Sequence, residues 1–405
     1  MRPEEKLILE LCKTSCDAAS ISSLIGDDAL DWRCFLECAS THMIAAVVLD
    51  RLVRFPLPES HKKLLVERCK EEVARVMRTR NVCTRELTRV VRALGEGGIE
   101  CVLMKGLSLD LYRLRAFGDL DVLVRKEDLT NAIELLHRLD YAYFVGSSLE
   151  RLLTSREKSN ISLQLSWNNH YQLRNARTGL LLELHTNLFQ RARVYVEDLD
   201  TLLDNIDLFW EGKRYDAEMK CFTLSREHSL LLMCLHNAIN RSPSNNRFLF
   251  RTCADIDMLI DRGVKWDGFV EACHRLRCAP WVYFSLLLTE QLLDTGIPAD
   301  VLAALKNDCT RWQLYLIDVH LRCLRSLRFS SIFYSKLYRF LNPFVFGRRW
   351  KDRIKWLLLL PILFPPRRQM ARNFNVREDS PVVYLTYLLN PLRWLYLVAT
   401  RAWRR

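Results

Sequence analysis

Along this chain of 405 residues the spacing of apolar positions changes character more than once. In ALDWRCFLECASTHMIAAVVLDRLV (residues 29–53) apolar side chains recur at intervals of three and four, the rhythm of one amphipathic helix. Asp31 is placed to cap it, just ahead of Trp32. A second helical pattern, dense in Arg, Lys and Glu, runs from His61 to Leu94, and Gly95, Gly97 and Gly98 end it. Residues 1–95 therefore read as a helical region.

The rhythm then shortens. Ile99–Met104 is a compact apolar run with β-branched residues, read as a buried strand, and Lys105-Gly106 breaks it. A short helix is expected over Leu107–Arg115, a second strand over Asp119–Val124, a helix over Glu127–Leu139 and a strand over Tyr141–Val145. Residues 161–173 and 179–189 alternate on either side of the polar turn Arg174-Asn175-Ala176-Arg177-Thr178-Gly179, which predicts a hairpin. Region 96–215 is thus a small α/β unit. From Ser225, a candidate N-cap, the helical period returns and continues to about Leu341. The expected class is α+β: a small mixed sheet with helices, set between a helical region 1–95 and a helical domain 216–341, with 342–405 as a separate tail.

Composition adds limits. Hydrophobic residues make up 49% and charged residues 27%, the balance of a globular chain. MRPEEKLILELCK does not read as a secretory signal, because acids interrupt its short apolar run. The fourteen cysteines form no C-x-x-C pair. Cys12/Cys16 and Cys34/Cys38 share helix faces and read as small hydrophobes, which points to a reducing, cytoplasmic compartment.

Charge is uneven. From Pro343 to Arg405 there are thirteen Lys+Arg and three Asp+Glu, so +10 of the total +12 lies in the last 63 residues. There the arginines are interleaved with Leu-rich runs and aromatics, not gathered on a polar face, so no specific nucleic-acid partner is expected. Neither Lys355–Arg368 nor Val382–Arg405 suits a transmembrane helix: Pro361 interrupts the first, and Asn390-Pro391 and Arg393 the second. Two readings stay open: an interfacial segment over 355–405 touching the inner face of a membrane, or a helical subdomain packed on the core with its arginines in solvent.

The chemistry concentrates around Asp119-Leu120-Asp121. Alternate strand residues share a face, so both aspartates project together while Leu120 and Val122 face the core. Like charges this close repel. A divalent cation removes the repulsion, and hard oxygen ligands suit Mg²⁺. Glu183, inside the apolar run LLLELH, is a third acid of the same kind. If its strand lies beside Asp119–Val124, three carboxylates converge and can hold two Mg²⁺ ions for a phosphoryl-type displacement. Lys105, the Gly106 turn and Arg115 form the phosphate side. Ser108 is a candidate stand-in for the serine often found at such turns. His185 shares the Glu183 face and is expected to orient a carboxylate. His42, His228 and His236 read as ordinary helix residues. Asp255 and Asp257 repeat the D-x-D spacing, but on a helix they point apart and are set aside as metal ligands.

This combination resembles the polymerase-beta-like nucleotidyltransferase superfamily, and more closely the family called uncharacterised nucleotidyltransferase. The resemblance rests on Met104-Lys105-Gly106, Tyr112, Arg115, Asp119–Val124 and Glu183-Leu184-His185. It extends to the lead-in carrying Trp32 and His42 and to Cys253–Asp261, covering roughly residues 25–265. It implies transfer of a nucleoside monophosphate from an NTP donor to a hydroxyl acceptor, with pyrophosphate released. Polysaccharide or natural-product biosynthesis is the implied setting. In that scheme Asp119 and Asp121 bind the Mg²⁺ ions (Mn²⁺ as a substitute), Glu183 helps deprotonate the acceptor, and Lys105, Gly106 and Arg115 hold phosphates. Lys105-Gly106 departs from the Gly-Ser or Gly-Gly of the wider superfamily. The rival reading is a catalytically inactive member, a scaffold or antitoxin-like binding protein; a degenerate member should have lost an acid, and all three are present.

Overall fold

The structure is a computed structural model that describes residues 2–109, 114–145, 148–149, 170–189, 201, 204–239, 249–326, 367–374, 376–377 and 379–390. Helices α1 (Pro3–Cys12), α2 (Ala18–Ile25), α3 (Trp32–Thr41), α4 (Ala45–Leu52) and α5 (Glu59–Glu96) lead into the sheet. Asp31 caps α3 as expected, its carboxylate accepting from the Arg33 and Cys34 amides at 2.9 and 3.1 Å.

The helix expected across residues 29–53 is two helices. Met43 adopts a left-handed φ of 55°. The Met43 amide donates to Ser40 and the Ile44 amide to Ala39, both at 3.0 Å, the paired bonds that close a helix end. At the end of α5 the same pair recurs, Gly98 to Gly95 and Ile99 to Leu94, with Gly98 at φ 72°.

The strands are β1 (Cys101–Leu103), β2 (Asp119–Val124), β3 (Tyr141–Val145), β4 (Ser148–Leu149), β5 (His170–Asn175), β6 (Leu181–His185), β7 (Lys213–Asp216) and β8 (Cys221–Leu224). They order as β4-β3-β5-β6-β2-β1-β8-β7 in one mixed sheet. β2 runs parallel to β6 and antiparallel to β1; β5 and β6 form the expected hairpin. The helix expected over 107–115 is instead a 3-10 turn, Gly106–Leu109, with Leu114 and Arg115 in irregular chain; 110–113 lie outside the described residues. The hairpin β7–β8, with β8 parallel to β1, was not legible in the sequence.

One face of the sheet is closed by α5 and by α6 (Leu129–His137). Leu87, Val90 and Leu94 of α5 and Ala132, Ile133 and Leu136 of α6 are buried with Leu103, Leu120, Val122, Val124, Leu182 and Leu184. This is the alternation expected of β2, so Asp119 and Asp121 are left on the other face. Within the buried layer Glu86 of α5 accepts from Tyr141 Oη at 3.0 Å, Arg89 at 2.7 Å and Asn175 Nδ2 at 3.4 Å. This network ties the long helix to β3 and to the hairpin turn.

α7 (Asp207–Glu211) lies between β6 and β7, and after the sheet come α8 (Arg226–Ile239), α9 (Leu249–Asp261), α10 (Trp266–Arg275), α11 (Ala279–Leu293) and α12 (Ala299–Asn307). Ser225 Oγ accepts from the His228 amide at 3.2 Å, as the capping pattern predicts. The chain divides into two compact units. One comprises Met1–Val194, Leu199–Asn240 and Arg247–Asp308; the other comprises Tyr195–Asp198, Arg241–Asn246 and Cys309–Arg405. The second unit includes α13 (Arg311–Ser326) and α14 (Arg367–Phe374), and Met370, Ala371 and Val383 form its small buried cluster. Most of 355–405 lies outside the described residues; there 382–390 is helical, with Val382, Tyr384, Leu385, Leu388 and Leu389 exposed. The thirteen cysteines whose side chains are described form no disulfide, and among the described residues no helix is long and apolar enough to cross a membrane.

Candidate active site

Pairing register assembles the site. In the parallel ladder of β2 and β6, Asp119 stands opposite Leu181, Asp121 opposite Glu183, and Leu123 opposite His185. The third carboxylate therefore reaches the D-x-D strand as expected. On the far side of β6, Gln172 is opposite Glu183 and donates Nε2 to Glu183 Oε1 at 2.7 Å. Gln172 was missed in the sequence, although the hairpin turn that sets the register was legible.

Asp121 is the hub. It is buried, and its Oδ1 lies 3.0 Å from both Lys105 Nζ and His185 Nε2. Burial pushes its pKa up, but the Lys105 charge and the His185 hydrogen bond outweigh this and hold it well below the usual carboxylate range. His185 Nε2 is also 3.5 Å from Glu183 Oε2. Facing two carboxylates, which only accept, this nitrogen serves as a donor. Burial lowers the imidazole pKa, yet the hydrogen bonds to Asp121 and Glu183 leave it raised.

One atom each from Asp121, Glu183 and His185 falls within 4.8 Å of the others. The two carboxylates at this spacing suit a divalent cation, with the His185 imidazole beside them. Asp119, expected among the ligands, stands outside this tight group. It opens the strand and is half-buried. Burial, followed by the charges of Asp121 and Glu183, pushes its pKa up to about 6.

Gly106 has a left-handed φ of 71°, and a side-chain carbon there would lie 3.4 Å from the Asp119 carbonyl oxygen. The turn after β1 thus presses against the start of the acidic strand. Lys105 from the same turn reaches Asp121. Burial lowers its pKa, but the Asp121 charge outweighs this and leaves it raised. Ser108 lies on this turn, and its side chain is outside the described set.

Arg115 differs from its expected role on phosphate. Its guanidinium is buried and pairs bidentately with Asp255 of α9, Nε to Oδ1 and Nη2 to Oδ2, each at 2.8 Å. Asp257 turns elsewhere and accepts from the Thr14 amide and hydroxyl at 2.9 and 3.0 Å. The two helical aspartates do point apart. Arg251, unremarked in the sequence, sits one turn before Asp255 and donates Nη1 to the Ala116 carbonyl at 3.1 Å. Burial, then the neighbouring Arg115 charge, lowers its pKa to about 10. His42 is buried and stacks on Phe250, ring centroids 4.0 Å apart, in keeping with an ordinary packing role.

A family model described as uncharacterised nucleotidyltransferase matches residues 28–294. The chain belongs to that family. The match takes in every residue of the acid cluster, the Lys105 turn and α9. The uncharacterised nucleotidyltransferases, as their name states, transfer a nucleotidyl group, which implies a nucleoside triphosphate substrate. No match was found among the curated proteins or the solved structures.

Proposed function

We propose that this protein transfers a nucleoside monophosphate from an NTP to a hydroxyl acceptor, on a polymerase-beta-like core. The observation that carries the reading is the register of β2 and β6, which sets Asp121 opposite Glu183 with Lys105 Nζ 3.0 Å from Asp121. Asp119, Asp121 and Glu183 would hold Mg²⁺, with Mn²⁺ as a substitute. A bound divalent cation supplies neutralising charge for the triphosphate and lowers the pKa of the acceptor hydroxyl. His185 fixes the direction of Asp121 and Glu183. Lys105 and the Gly106 amide hold phosphate oxygens. The acceptor belongs to polysaccharide or natural-product biosynthesis, the setting that the family resemblance implies. The reading includes contact of segment 355–405 with the inner face of a cytoplasmic membrane, supported by the exposed apolar residues of helix 382–390 and the basic tail.

The test is thermal melting with each of the four NTPs, with and without Mg²⁺, beside Asp119→Ala/Asp121→Ala. A ligand at 100 times its Kd adds about 2.7 kcal/mol, a shift of a few degrees. A Mg²⁺-dependent shift with an NTP, lost in the double variant, supports the reading and names the donor. No shift with any NTP in the folded protein overturns it.

A further inference from the structure

The long helix α5 carries its charge unevenly along its length. Residues 59–72 hold four Lys+Arg and four Glu, and exposed pairs such as Lys62–Glu59 and Arg68–Glu71, each at 2.9 Å, link them within the helix. Residues 73–95 hold six arginines and one acid, Glu86. That acid is buried and accepts from Tyr141 and Arg89, so it is turned away from solvent. Arg75 reaches back to Glu72 at 2.6 Å, and Arg80 is half-buried. Arg78, Arg85 and Arg92 differ from these. Each is exposed, and among the described residues none of the three forms an ion pair; Glu96, one turn beyond Arg92, is not within reach of it.

The three arginines are spaced by seven residues, or two helical turns, so they stand in one row about 21 Å long. Asn81 and Thr88 fall between them on the same side and are also exposed. The row lies opposite Cys83, Leu87, Val90 and Leu94, which pack against the sheet. Beside it is a groove of about 540 Å³, lined by Met77, Arg80, Asn81, Thr84, Arg85 and Glu218. Like charges held in a row favour a partner with repeated negative charge. A lipid surface would require apolar side chains beside the basic ones, and from Arg78 to Arg92 the row is entirely polar. Arg, Asn and Thr are instead the side chains that contact phosphate and sugar oxygens. A single row of cations flanked by a groove of small-ligand size matches one strand with a nucleoside turned out of its stack.

We propose that the outer face of α5, from Arg78 to Arg92 with the groove beside it, is a docking surface for a single nucleic-acid strand, gripped through its phosphates without reading of base sequence. The row is on the side of α5 away from the sheet, and the acid cluster is on the opposite face of that sheet. The surface therefore anchors a strand and does not present it to the acids. It is separate from the basic tail and independent of the nucleotidyltransferase reading.

The test titrates full-length protein into a fluorescein-labelled single-stranded RNA of about ten nucleotides at several salt concentrations, read by anisotropy. Arg78→Gln/Arg85→Gln/Arg92→Gln removes the row. Lys62→Gln/Lys63→Gln/Lys70→Gln removes the same charge from the balanced half of the helix. All six positions are exposed and glutamine is a good helix former, so both variants should melt close to wild type. Each phosphate contact adds about 0.7 to the slope of log K against log salt for a single strand. The arginine variant should therefore lower that slope by about 2 and weaken binding at least tenfold or so, while the lysine variant stays within about twofold of wild type. No binding by wild type, or an arginine variant that binds as wild type does, overturns the proposal. Equal losses in the two variants also overturn it, since net charge alone would then be responsible. An arginine variant that keeps the RNA but no longer floats with anionic vesicles would assign the row to lipid instead.

Discussion

Asp121 and Glu183 face each other across neighbouring parallel strands, 62 residues apart in the chain, and His185 Nε2 lies 3.0 Å from one and 3.5 Å from the other. The two carboxylates share a hydrogen-bonding neighbour but not a fate. Asp121 also carries the Lys105 pair, whereas Glu183 accepts from the neutral amide of Gln172.

That difference predicts unequal costs. Asp121→Ala leaves Lys105 and His185 buried without their shared carboxylate, and should destabilise by about 2–4 kcal/mol. Glu183→Gln keeps an acceptor for Gln172 and should cost less than about 1 kcal/mol. Both variants should lose Mn²⁺ binding. Urea unfolding gives the stabilities, and equal costs for the two variants would contradict the assigned partners.

Asp119 makes stability depend on pH. Its pKa is raised from 3.8 to about 6 in the folded protein by burial first, then by Asp121 and Glu183. Between those values the native state binds more protons than the unfolded one, so stability falls as pH rises through that window. Asp119→Asn should remove this fall. In EDTA the variant should gain on wild type between pH 4 and pH 6.5, by on the order of 2 kcal/mol. Because metal ligands must be deprotonated, Mn²⁺ affinity of wild type should climb over the same range. Melting and Mn²⁺ titrations at several pH values check both parts.

Gly98 and Gly106 have the same left-handed backbone, at φ 72° and 71°. Alanine at either should cost about 1 kcal/mol. A side-chain carbon at 98 meets nothing within 4 Å, whereas at 106 it approaches the Asp119 carbonyl. Only Gly106→Ala should therefore weaken Mn²⁺ binding. A matched loss in both variants would detach the turn from the site.

Tyr141→Phe removes one donor from buried Glu86 and should destabilise by about 1–2 kcal/mol without touching metal affinity. Chemical denaturation and Mn²⁺ titration on the same preparation separate the two effects.

Anionic vesicles test the tail. The full chain should float with them and a chain ending at Leu341 should stay behind, the bound fraction falling with salt. Equal recovery of both in the soluble fraction would remove membrane contact from the functional reading.

Much of this arrangement was legible because the governing signals are local. Alternation in Asp119–Val124 told which side chains face the core, and the polar turn at 174–179 announced the hairpin that carries Glu183. Two helix ends show where legibility stops. The bonds closing α5 and α3 are the same, but α5 ends on Gly98, a residue that signals the left-handed position, whereas α3 ends on Met43, which does not. The chain from 29 to 53 accordingly reads as one helix. The edge hairpin Lys213–Asp216/Cys221–Leu224 was missed for a similar reason: its first strand, KRYD, carries no apolar alternation. The Asp255 partner of Arg115 was not legible, because it lies 140 residues away and only the tertiary fold brings it near.

That distance sets an order of events during synthesis. A nascent chain that has emerged only through the D-x-D strand holds Arg115 without Asp255 and the first aspartates without Glu183. The parallel pairing of β1 with β8 likewise waits for residues 222 and 223. No fragment ending before α9 contains the complete constellation, so the site cannot be assembled from the amino end as the ribosome advances. It forms late and from distant contacts, which places refolding of this unit on the slow side of what its helical content suggests.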